Sequence, residues 1–163
     1  MRETIVNFFG EYAAVLVFFH IVSAVIWVGG MIAVRLAVHP SLQSIENGEI
    51  KLGKTLEIVG RLFNLVIPFI IILIFTATVM AVGLGFKGSD LYWLVHVKEG
   101  IWMLMVINFI YMYIQRRKAQ KLYNAGELQG AKMHISKFPN LLLPINIFLG
   151  LGAIFAGVTL RGF

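Results

Sequence analysis

Four stretches of the chain stay apolar long enough to cross a bilayer core, which takes about 20 residues of helix. They run over 12–38, 62–84, 91–114 and 138–160. The connections between them span roughly 6 to 23 residues at these boundaries. No connection is long enough for a soluble catalytic domain. The pattern predicts an all-α integral membrane four-helix bundle, a single transmembrane domain over 1–163. Any chemistry must then happen inside the bundle or at its edge.

Turn signals agree with these ends. Pro40 in His39-Pro40-Ser41 disfavours helix at the residue before it and is expected to close the first span. Gly83, Gly85, Gly88 and Ser89 mark a short turn before the third span. Pro68 and Pro144 lie inside spans two and four, where proline kinks or loosens a helix.

Composition supports the same class. Apolar residues make up 59% of the chain and charged ones 13%, against about 25% charged in a soluble domain. With no cysteine, disulfides, thiolate metal sites and iron–sulfur clusters are excluded. Met1-Arg2-Glu3-Thr4 is not expected to head a cleaved signal peptide, because the first apolar stretch is too long and no small-residue cleavage site follows it.

The net charge of +6 is a topology signal. Arg35, Lys51, Lys54 and Arg61 surround the first connection. Arg116, Arg117, Lys118, Lys121, Lys132 and Lys137 surround the third. Arg2, Lys87, Lys98 and Arg161 lie toward the other end. Basic connections stay in the cytoplasm, so both termini are expected outside. Nucleic acid is not an expected partner, since the aromatic residues sit in the apolar spans and not among the basic ones.

Ionisable residues inside a membrane are costly and point to function. Here they are His20 in span one and His96, Lys98 and Glu99 in span three. His20 lies roughly 12 Å and His96 roughly 8 Å inside its span's outer end, at 1.5 Å per residue. The two imidazoles therefore share the outer half of the bundle. Trp27 and Met31 follow on the stripe of His20, and Gly100, Met103 and Ile107 on that of His96. Small residues near each histidine leave room for a flat apolar group. Two neutral imidazoles at matched depth suit the axial positions of a haem. The competing readings are ordinary helix–helix hydrogen bonding and a copper site using histidine and methionine, with Met80 as a further ligand. Lys98 either snorkels to the interface or pairs with an anionic group such as a propionate. Glu99, one turn from His96, either orients that imidazole or carries a proton, or else pairs with Lys98 or makes an interhelical hydrogen bond. His39 and His134 lie at the basic end and are expected to be solvated.

The residues His20-Ile21-Val22, Trp27-Val28-Gly29-Gly30, Arg35-Leu36-Ala37-Val38-His39, Pro68, Trp93-Leu94-Val95-His96-Val97-Lys98 and Phe138-Pro139-Asn140-Leu141-Leu142 come in an order that resembles two related families. These are the HemJ-type protoporphyrinogen oxidases and the copper-resistance D (CopD) membrane domain. The resemblance runs from Phe18 to Leu142. It implies a haem b bundle in a bacterial inner membrane that oxidises protoporphyrinogen IX to protoporphyrin IX with a quinone-type acceptor. It assigns functional positions to His20, His96 and Lys98. Ala33-Val34-Arg35-Leu36 departs from the Leu-Pro-Arg-Leu usual in the HemJ type, Gly29-Gly30 looks more like the CopD pattern, and Ile110-Tyr111-Met112-Tyr113 replaces a late aromatic–histidine pair.

The sequence expectation is thus a membrane haem redox protein. His20 and His96 are the metal ligands. Trp27, Lys98 and Gly100 bind the cofactor, and Lys98 and Glu99 are the catalytic candidates. A copper-handling protein and a non-enzymatic haem electron-transfer module are the alternatives. Membrane lipid and a porphyrin or quinone are the expected partners, with homo-oligomerisation left open.

Overall fold

A computed structural model of the chain describes residues 2–85 and 90–160. Gly88 and Ser89 of the expected turn, and the basic Lys87 and Arg161, lie outside the described residues. Four long helices carry nearly everything else: α1 (Arg2–Gln43), α2 (Gly48–Gly83), α3 (Tyr92–Asn124) and α4 (Leu128–Leu160). Each is long and apolar enough to cross a membrane. Hydropathy marks only the section of a helix that sits in lipid. The helices run past those sections as polar extensions, so the connections are shorter than the apolar pattern suggests.

Local chemistry sets the helix ends. Asn47 caps α2, its side-chain oxygen accepting from the amides of Glu49 and Ile50 at 3.0 Å each. The α3–α4 connection is a Schellman turn. Gly126 takes φ +80°, the Glu127 amide donates to the Leu122 carbonyl at 2.9 Å and the Gly126 amide to Tyr123 at 3.0 Å. Pro40 does not close α1 as expected; the helix continues to Gln43. Proline lacks the amide that the Leu36 carbonyl would accept from, and the helix widens into a π-type turn over Val34–Val38. Pro144 deprives Asn140 in the same way, and a second wide turn covers Phe138–Leu142. Pro68 sits inside α2 without ending it.

The helices run up, down, up and down. Phe9 and Leu16 near the start of α1 pack on Val79 near the end of α2. Toward the end of the bundle opposite the termini each helix contributes one aromatic ring to a shared layer. Trp27 meets Phe109 edge-on at 6.1 Å, Phe109 meets Phe63 at 5.1 Å, and Phe63 meets Phe138 at 6.3 Å. All four are buried. The outer surface is apolar too: Phe18, Ile71, Phe148 and Phe155 project outward. An apolar core wrapped in an apolar surface suits lipid as solvent and would be an aggregation hazard in water.

Asn108 and Asn146 join α3 to α4. The Asn108 amide donates to Asn146 Oδ1 at 2.8 Å and to the Leu142 carbonyl at 2.9 Å, and Asn146 donates to the Met105 carbonyl at 3.2 Å. Asn146 is fully buried. Asn146→Leu keeps the branched shape, removes two hydrogen bonds and leaves Asn108 with one. It is expected to lower stability by about 1–2 kcal/mol. Equilibrium unfolding in detergent would measure this; an unchanged midpoint would show that the pair is not coupling the helices.

Candidate functional site

His20 lies half-buried on α1, facing α2. Its Nδ1 is 2.9 Å from the Thr76 hydroxyl. That hydroxyl has one proton, and its 2.7 Å contact with the Ile72 carbonyl takes it. The imidazole must then donate from Nδ1, which leaves the Nε2 lone pair free. Thr76 is itself 2% exposed, so the ring is held by a rigid neighbour. This is how a second residue fixes the tautomer and orientation of a metal-binding histidine.

Three further polar groups occupy the same part of the bundle. Ser23, one turn below His20, is fully buried, and its hydroxyl has no hydrogen-bond partner among the described residues. Trp27 is 3% exposed with its indole N–H unpaired. Trp27 also falls in a wide turn of α1 over Val25–Gly29, and such turns are frequent at functional sites. Lys98 comes in from α3. Its Nζ sits over Gly157 of α4, 3.0 Å from where a Cβ would stand. Among the described residues the ammonium makes no ion pair. A free imidazole nitrogen, two unpaired donors and an unpaired cation are all groups that a bound ligand can satisfy.

His96 is placed differently. It lies on the outward side of α3, exposed, with its Nδ1 2.9 Å from Glu99 Oε2 and its ring edge-on to Tyr92 at 4.7 Å. Gly100 opens onto the same side, with no atom within 4 Å of a would-be Cβ, and Met103 and Ile107 continue that exposed face. Lys98 and His96 are two residues apart, roughly 200° around the helix. Lys98 turns inward to Gly157 of α4, so His96 turns away. The structure turns His20 toward α2, Lys98 toward α4 and Trp27 into the core. It sets His96, Glu99 and Gly100 on another face. Within that second group, Glu99 is the hydrogen-bond partner of the His96 imidazole.

The remaining candidates are spread out. Met31 and Met105 belong to the main core, and Met80 packs against the Phe9 cluster. His39 touches Gln43 one turn on. His134 is not simply solvated; it lies 2.6 Å from Gln115 on α3. Thr76 as the partner of His20 was not legible beforehand, because the pairing joins positions 56 residues apart.

A single haem ligand fits these observations at His20, where Nε2 is free and two buried donors await a partner. Two histidine ligands to one iron inside one chain do not match the opposed faces of His20 and His96. No group of three or more histidine, aspartate or glutamate side chains suited to a metal ion occurs among the described residues. Compared with known protein families, curated proteins and solved structures, the chain matches none.

Proposed function

We propose that this integral membrane protein is a haem b-binding redox protein, with oxidation of protoporphyrinogen IX to protoporphyrin IX as its most specific form. The observation that carries the reading is His20, fixed by Thr76 with Nε2 left free, on the helix that also carries the buried, unpaired Ser23 and Trp27. His20 would hold the iron, and Lys98 would pair with a propionate. Haem supplies one-electron transfer when bound. The chain's own residues orient the imidazole, offer the cation and exclude water with the aromatic layer beneath. A quinone-type acceptor in the same membrane would take the electrons. The basic connections favour both termini outside, in a bacterial inner membrane.

Haem suits the site better than copper for a chemical reason. The porphyrin brings four nitrogens of its own, so one protein imidazole can be enough. A bare copper ion needs several protein ligands, but Met80 is packed against the Phe9 cluster and Met103 faces outward. The reduced and oxidised absorption spectra of the detergent-purified protein decide between them. A Soret band that shifts on reduction is the expected result. A colourless preparation carrying stoichiometric copper would overturn the reading. Complementation of a strain lacking protoporphyrinogen oxidase then separates the enzyme from a haem electron-transfer module.

A further inference from the structure

A second cleft lies at the opposite end of the bundle from the chain termini, between α3 and the first turns of α4. It has a volume of about 180 Å³ and is lined by Tyr111, Gln115, Met133, His134, Lys137 and Leu142. The haem reading uses none of these residues, and nothing here depends on it.

The lining has three distinct parts. Tyr111 and Leu142 fall inside the apolar stretches of their helices, whereas Gln115, Met133, His134 and Lys137 fall in the polar extensions. The cleft therefore straddles the boundary between lipid and water. Its polar wall is preorganised: His134 Nδ1 and Gln115 Oε1 meet at 2.6 Å, tying α4 to α3. The oxygen of Gln115 is the acceptor in that contact, so its amide N–H groups remain free to donate. Tyr111 adds a hydroxyl and Lys137 an ammonium. No carboxylate lines the cleft, so the converging groups are donors and one cation. Met133 is 76% exposed. With Leu142 it makes an apolar lip beside the polar wall.

We infer that this cleft binds an anionic phospholipid, its phosphate among Tyr111, Gln115 and Lys137 and its acyl chains running past Leu142 into the lipid. Phosphate is recognised by charge-assisted hydrogen bonds. Basic pockets between membrane helices at the cytoplasmic boundary are the places where anionic headgroups settle. A membrane lipid is the occupant whose polar and apolar parts change over at the level where this lining does. Arg117, Lys118 and Lys132 at the same end raise the local concentration of anionic lipid, but they do not line the cleft and carry no specificity for it.

Native mass spectrometry of the full-length protein tests this, with mixed micelles containing phosphatidylglycerol or phosphatidylcholine. The expected result is a retained one-to-one phosphatidylglycerol adduct, with phosphatidylcholine lost under the same activation. Lys137→Gln should weaken phosphatidylglycerol binding about tenfold, as expected for one hydrogen bond to a charged group. Gln115→Leu should weaken it as well. Lys121→Gln, an equal loss of charge at an exposed site outside the cleft, should change it less than about twofold. Equal losses from Lys121→Gln and Lys137→Gln would reduce the effect to diffuse surface charge and sink the proposal, as would equal retention of the two lipids. Inorganic phosphate alone raising the unfolding midpoint as much as phosphatidylglycerol would also overturn it, by identifying a free-ion site.

Discussion

His20→Ala is expected to yield an inserted, folded protein that retains no haem. Insertion follows total apolarity, which this change hardly alters. The side chain is only half-buried, and its one hydrogen bond is to Thr76, so the fold loses little. The iron would lose the one imidazole that the bundle directs inward. Thr76→Val distinguishes a ligand from the residue that positions it. It removes the acceptor of the Nδ1 proton while keeping the volume, and the ring is then free to turn. Haem should still bind, about 10–100-fold more weakly, the usual cost of removing such a partner, with a shifted reduction potential. Lys98→Ala should weaken retention and leave the iron spectrum unchanged. His96→Ala should keep the haem, because that ring is turned away and bonded to Glu99. Full haem content in His20→Ala, measured by the pyridine haemochrome assay, would refute the assignment.

Gly150→Ala should be among the most damaging single-methyl additions to this protein. Alanine normally improves a helix over glycine by about 1 kcal/mol, so the expected sign here is the reverse of the default. At Gly150 a Cβ would stand 2.6 Å from Val28 Cγ2 and 3.2 Å from Met105 Cε. The methionine end can move. Val28 cannot easily do so, since a β-branched side chain has little rotamer freedom and this one is buried. α1 and α4 must separate, at a cost of about 2–3 kcal/mol. Gly152→Ala, two residues along the same helix, meets nothing within 4 Å. It should be neutral or stabilising. Paired unfolding curves in detergent check both. A shared loss of stability would mean that backbone effects, and not the contact with Val28, govern this helix.

These two expectations draw on different kinds of information. The class of the protein was plain from the chain, because an apolar run of bilayer length has few other uses, and all four helices lie where those runs are. The candidate polar residues were equally plain, since charge inside lipid is costly wherever it faces. The depth of each residue also followed, from a fixed rise per residue. Rotation about the helix axis did not. On α3 two stripes are about equally apolar. One is Gly100, Met103 and Ile107 beside His96; the other is Ile101, Met105, Phe109 and Met112 beside Lys98. Hydropathy cannot say which of them faces lipid. Packing does, by burying Met105, Phe109 and Met112 against the other helices. That choice turns Lys98 inward against Gly157 of α4 and His96 outward. Helix ends were obscured in a similar way, because the extensions beyond the membrane are polar and are stabilised by caps and by packing. Thr76 beside His20, Asn146 beside Asn108 and Gln115 beside His134 each join separate helices. Depth and composition follow from the order of the residues along the chain, whereas facing and partnership exist only once the helices pack.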